Sequence, residues 1–246
     1  MAIGLPERKR DLGPLVERLR GCSALAEVET PALTALAAES RLVRYAEGQR
    51  LFSLLESSPR LQFLSEGLAK LVGTSRNGRE RILYVYRPGE IVGARYFIDT
   101  PESSREVVAM EPAVAVVTSP DRFQRVGRDH PRILLAVTRE FTARLHRLNE
   151  RTMAAMGEEV PVRLCRLLLD FSDSDGEAEE WTALAHPLTH RTMAQIIGAS
   201  RPHTSATLAT LEDAGAVRRN NPHGLSVRPS RLREIVHDGV FERKTA

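Results

Sequence analysis

The chain is poor in cysteine, in lysine and in long apolar runs, and each shortage removes a class of function. Its two cysteines, Cys22 and Cys165, stand far apart and in no metal-ligand spacing, so they read as reduced structural thiols rather than a disulfide framework or a zinc site. No stretch approaches the roughly 18 apolar residues that a membrane span requires. Met1 to Leu12 is charged and lacks the apolar segment of a signal peptide. A cytoplasmic protein with no membrane partner is therefore expected. Lysine occurs only at Lys9, Lys70 and Lys244; so strong a preference for arginine reflects a GC-rich genome rather than a chemical demand.

What is present is ordinary in bulk and uneven in place. With 42% apolar and 27% charged residues, a chain of 246 can bury two small cores. From Pro187 onward nine Arg or Lys stand against five Asp or Glu, whereas the preceding part is almost neutral. A basic C-terminal module on a neutral body points to a polyanion, and nucleic acid is the commonest one.

Hydrophobic period divides the chain. Short helices are predicted between Leu12 and Ser40, with Thr30-Pro31 starting one whose inner face is Leu33, Leu36 and Ala37. From Arg41 to Ser119, short runs rich in Val, Leu and aromatics read as strands: Arg41–Tyr45, Leu61–Leu64, Leu68–Val72, Ile82–Tyr86 and Ala113–Val117. Glu47-Gly48, Glu66-Gly67, Asn77-Gly78, Pro88-Gly89 and Thr100-Pro101 separate them as turns, and Asn77-Gly78 is a hairpin signal. Evenly spaced short strands imply an antiparallel barrel or jelly roll. After Pro120 a short helix near Arg122–Val126 precedes a long one over about Pro131–Glu159. In it Leu134, Phe141, Leu148 and Ala155 recur at sevens, with Thr138, Leu145 and Thr152 between them, a seam suited to a parallel helix pair in a homodimer. Another amphipathic helix is expected over Val162–Phe171, and the acidic stretch Ser172–Glu180 reads as a solvated loop.

The most specific signal spans Leu188 to Val227. Thr189 is placed to cap a short helix with Met193, Ile196 and Ile197 inward. Gly198-Ala199-Ser200 makes a tight turn, and Ser200 caps a second helix with Pro202 in its first turn and Thr204, Leu208 and Leu211 inward. Helix, short turn, helix with a polar outer start is the form of a recognition helix in the major groove. Arg218 to Gly224 followed by Leu225-Ser226-Val227 reads as a two-stranded wing with a basic tip. Arg201, Pro202, His203, Ser205 and Ala206 are the base-contact candidates; Thr189, Arg191, Ser200, Thr204, Arg218, Arg219 and His223 are the phosphate candidates.

At these residues the chain resembles the cyclic AMP receptor protein (CRP/FNR) family of bacterial transcription regulators. The resemblance is carried by Tyr45-x-x-Gly48-x-x-Leu51-Phe52, Gly67-x-x-Lys70-Leu71, Asn77-Gly78-Arg79-Glu80 and Arg87-Pro88-Gly89-Glu90-Ile91-Val92-Gly93. Arg144-Leu145, Gly198-Ala199-Ser200-Arg201 and Leu208-x-x-Leu211-Glu212-x-x-Gly215 complete it. It implies an α+β chain: a cyclic-nucleotide-binding-like β-roll with N-terminal helices over residues 1–120, a hinge and dimerisation helix over 121–159, and a winged helix-turn-helix over 160–246. It also implies a homodimer on a two-fold symmetric duplex, with RNA polymerase as a further partner. Arg201 falls where the family reads guanine, while Pro202 and Ala206 replace positions that often carry Glu and a second Arg. The family's effector pocket is degenerate here. Gly93-Ala94 stands for its Gly-Glu pair, Ser103-Ser104 for its Arg-Ser pair, and Leu148 and Asn149 for its adenine-contacting hydroxyls. Cyclic AMP is therefore disfavoured, with Arg95 or Arg105 left as a substitute cation and another small effector left open; no cofactor is expected. An iron–sulfur variant would need about four thiolates.

Two other readings are weaker. His186 and His190 have metal-ligand spacing but no third ligand, and no nucleophile elbow occurs, so no metal and no enzyme is expected. A nucleotide-binding signalling module whose helical tail contacts protein would leave Arg201 and the basic wing without a role.

Overall fold

A computed structural model describes residues 11–53, 60–74, 80–93, 105–172, 180–220 and 224–238. The chain divides into two compact units, Met1–Gly78 with Leu83–His146, and Arg79–Ile82 with Arg147–Ala246. The cut thus falls inside the long helix rather than at either of its ends.

The first unit begins with α1 (Gly13–Arg20), a single 3-10 turn (Ser23–Leu25) and α2 (Thr30–Ala38). Eight strands follow: β1 (Arg41–Tyr45), β2 (Arg50–Ser53), β3 (Leu61–Glu66), β4 (Ala69–Thr74), β5 (Glu80–Tyr86), β6 (Ile91–Val92), β7 (Arg105–Ala109) and β8 (Ala113–Thr118). They form two four-stranded sheets, β1-β8-β3-β6 and β2-β7-β4-β5, the two layers of a β-roll. All five runs expected to be extended contribute to strands; β2, β6 and β7 join them. Gly67 turns β3 into β4 at φ 76°, and a Cβ there would sit 2.4 Å from the Pro112 carbonyl oxygen, so no other residue fits. Buried Gln62 accepts from Tyr45 Oη at 2.6 Å and donates to the Leu51 carbonyl at 2.7 Å, tying β1 and β2 to β3 without an unpaired amide. The Asn77-Gly78 turn lies outside the described residues, though its flanking strands β4 and β5 are neighbours.

The core lies between one sheet and the helices. Leu33, Leu36 and Ala37 of α2 pack with Phe63, Val116, Phe123 of α3 (Pro120–Asp129) and Ile133 and Val137 of α4 (Pro131–Gly157). Arg144 anchors α4 to this unit. Its guanidinium, 8% exposed, donates to the Ile91 carbonyl at 2.8 Å and to Glu140 at 3.2 Å, and lies 5.1–5.6 Å from the rings of Tyr84, Tyr86 and Phe141.

The second unit packs α5 (Val160–Asp170) against α6 (His190–Ile197), α7 (Arg201–Asp213) and α8 (Pro229–Asp238). Pro161 sits in the first turn of α5 and so starts that helix rather than closing α4. The wing is a three-stranded antiparallel sheet, β10 (Val217–Asn220), β11 (Gly224–Val227) and β9 (Thr182–Ala183), in the order β10-β11-β9. Two strands were expected; the third is too short to show in sequence.

Candidate nucleic-acid interface

Local chemistry aims the motif. Thr189 Oγ1 accepts from the Thr192 amide at 3.1 Å and starts α6. Gly198 closes it at φ 71°, the left-handed region, and the Arg163 side chain donates to the Ile197 carbonyl at 2.6 Å. Ser200 Oγ accepts from the His203 amide at 3.3 Å and starts α7. Met193, Ala194, Ile197, Thr207, Leu208 and Leu211 are buried, which turns the opposite side of α7 outward.

That outward side carries Arg201, Pro202, His203 and Ala206, all exposed, with Ser205 half-buried. It borders a cleft of about 630 Å³ whose walls include Thr189, His190, Arg191, Arg201, Arg219 and Asn220. Thr189, Arg191, Ser200, Arg218 and Arg219 are exposed as well. Arg219 pairs with Glu212 at 3.1 Å on the surface, a contact worth little in water. Arg218 and Arg228 lie over Trp181, each 4.7 Å from the ring centroid, so the chain's one tryptophan joins the segment before β9 to the wing. A concave, arginine-lined face at two helix N-termini is suited to phosphates.

Two residues without an expected role belong to this face. His190 Nδ1 lies 2.8 Å from Ser205 Oγ, across the two helices. Burial, then Arg219 and Arg201, hold its pKa below the ordinary value, so it is neutral near pH 7. Trp181 is the other. Neither has a local signature, because both partners are remote in sequence.

Several expectations need correction. Thr204 is 0% exposed and its hydroxyl donates to the Ser200 carbonyl at 3.0 Å, so it contacts no phosphate. On α4 the expected seam is displaced. Phe141 packs half-buried on its own core, while Leu134, 38% exposed, lies over Gly127 of α3. The exposed seam runs instead through Leu135, Thr138, Thr142, Leu145, Asn149, Thr152 and Met156, with Met153 beside it. Leu148 is half-buried, and only the helical backbone of Ala155 is described. Of the degenerate pocket, Gly93 is buried and Arg105 begins β7, paired with Gly73; Ala94, Arg95, Ser103 and Ser104, like His223 of the wing, lie outside the described residues.

Comparison with known proteins agrees with this architecture. A family model described as a cyclic nucleotide-binding domain matches residues 42–130, and one described as a Crp-like helix-turn-helix domain matches residues 162–235. The chain is 27% identical over 192 residues to the CRP-like cAMP-activated global transcriptional regulator of Mycobacterium tuberculosis, covering 78% of this chain and 86% of that protein. It is 24% identical to the cyclic AMP receptor protein of Thermus thermophilus, over 80% of this chain and 88% of that one. The fold is that of the c-di-GMP responsive regulator CLP of Xanthomonas campestris, with a TM-score of 0.67 at 22% identity over 81% of this chain and 99% of that structure. The relatives are regulators rather than enzymes. With a domain of the cyclic nucleotide-binding type followed by a Crp-like helix-turn-helix domain, the chain belongs to the CRP/FNR family of DNA-binding transcription regulators.

Proposed function

We propose that the protein acts in the cytoplasm as a homodimer that reads a two-fold symmetric duplex through Arg201, without control by cyclic AMP in the family's usual pocket. One observation carries the reading. Arg201 stands exposed on the first turn of α7, beside an arginine-lined cleft, where a guanidinium reaches O6 and N7 of guanine. Each half-site holds a guanine, and the half-sites lie about 34 Å apart, one turn of B-form duplex. The exposed seam of α4 supplies the dimer contact, since Leu145, Met153 and Met156 are 59%, 70% and 81% exposed in a single chain.

The pocket argument is one of missing charge. Without the acidic ribose partner at Ala94 and the phosphate arginine at Ser103, cyclic AMP forfeits about 1.5–3 kcal/mol for each charge-assisted contact. A different small effector, or none, then sets activity; the CLP regulator, named for its response to c-di-GMP, supports the view that this fold is not bound to cyclic AMP. RNA polymerase is the partner through which a bound dimer acts.

Selection from a random duplex library at two salt concentrations tests the proposal. Enrichment of a symmetric site, with affinity falling steeply as salt rises, is expected. Arg201→Ala should remove discrimination between selected and random duplex, worth about 1–3 kcal/mol, and leave the dimer intact. Undiminished discrimination would take Arg201 out of the readout, and no duplex preference would favour a module that contacts protein.

A further inference from the structure

Four hydroxyls lie along α7, and one of them behaves differently. Thr204, Thr207 and Thr210 each donate to the carbonyl four residues earlier, at 3.0, 2.9 and 3.0 Å. Ser205 instead reaches across to His190 Nδ1 at 2.8 Å, joining α7 to the first turn of α6 where both border the cleft. The three threonines show that the helix satisfies hydroxyls locally, so this exception brings an ionisable ring to a residue placed for base contact.

A ring nitrogen and a hydroxyl share one hydrogen in either of two senses. With His190 neutral and its proton on Nε2, Nδ1 accepts from Ser205, and the serine oxygen presents only lone pairs to the groove. With His190 charged, Nδ1–H donates, and the serine's own hydrogen is released to point outward. Among the described residues the charged groups around the ring are Arg191 on its own helix, Arg201 on α7 and Arg219 on β10, the last paired with Glu212. The amides of the α6 N-terminus add to that positive field. Burial first, then Arg219 and Arg201, resist a proton on His190 in the free protein. A duplex neutralises these same arginines with phosphate, which weakens the resistance and raises the ring's proton affinity in the complex.

We infer that His190 sets the polarity of base readout at Ser205: neutral, it leaves the serine an acceptor for the amino group of adenine or cytosine, and charged, it makes the serine a donor to guanine, thymine or phosphate oxygens. His190 is thus a positioning residue that acts through Ser205, and the inference rests on α7 being the groove-reading helix. The sign follows from the direction of the change. The bound ring holds its proton more tightly than the free one, so complex formation takes up a proton. The affinity this adds is present below the free protein's pKa and is lost as pH rises through the bound value.

Selection of duplexes by the full-length protein at about pH 5.5 and about pH 8, on either side of an ordinary histidine, tests it. One half-site position should change preference between the two conditions by about 3- to 10-fold, the value of one hydrogen bond. His190→Gln and Ser205→Ala should each erase that change while keeping the guanine assigned to Arg201, and His237→Gln, at an exposed histidine on α8 away from the cleft, should retain it. Nitrogen-15 spectra of the ring should show Nδ1 unprotonated at the higher pH. An identical preference at both pH values, a change that survives His190→Gln, or a protonated Nδ1 at the higher pH would overturn the inference while leaving DNA recognition standing. Absence of any enriched duplex at either pH would instead overturn the DNA-reading proposal, and this one with it.

Discussion

Ser200 decides where Arg201 leaves the backbone. Its side chain holds the His203 amide, and its carbonyl accepts both the amide and the hydroxyl of Thr204. Ser200→Ala should cost about 1 kcal/mol in thermal denaturation, the ordinary value of an N-cap, and should weaken specific more than random duplex binding because the first turn frays. The two thiols give a second check at this scale. Burial pushes Cys22 and Cys165 up to about 12, so thiolate is scarce at pH 8. Thiol titration of the native protein at that pH should therefore find neither residue reactive, and titration after denaturation should find both. Fast reaction of either in the native state would mean that its core opens readily.

Each helix or strand has a division of labour that a single residue does not show. Along α4 one side is committed to the first unit by Ile133, Val137, Phe141 and Arg144, whereas Leu135, Leu145, Met153 and Met156 are exposed. Substitutions on the two sides should thus separate. Leu145→Glu should shift the protein toward monomer in sedimentation experiments with little loss of monomer stability. Phe141→Ala, at a ring half-buried on that unit's core, should lower stability by about 2 kcal/mol while the seam proposed to pair the chains is untouched. If Phe141→Ala dissociated the dimer and Leu135→Glu, which lies on the displaced seam alone, did not, the seam would be the one spaced on Leu134 and Phe141 after all. In the wing, Trp181 between Arg218 and Arg228 makes a stacked unit of residues from three segments. Removing that ring would loosen β10 and with it Arg219.

For the whole molecule, the residues at the family's pocket positions bear on what the β-roll can hold. Calorimetry with cyclic AMP should show no binding in the micromolar range, since the positions matching the family's ribose and phosphate partners hold Ala94, Ser103 and Ser104. A clear isotherm would mean that Arg95 or Arg105 supplies the cation from another position. The sequence by itself determined the order of the parts, the strand runs of the roll, the capped helix pair and the basic bias of the last quarter. Those features are short-range: a cap, a turn glycine and a period of two or three to four are all written within a few residues. The half-buried place of Phe141 on α4, the two-residue strand β9, helix α8 and the His190–Ser205 contact were decided only by tertiary structure. Phe141 and Leu145 both read as apolar seam positions, and a hydroxyl or a histidine reads as polar wherever it stands. Which of them is covered depends on side chains distant in the chain, because burial is a property of what packs against a residue and not of the residue itself.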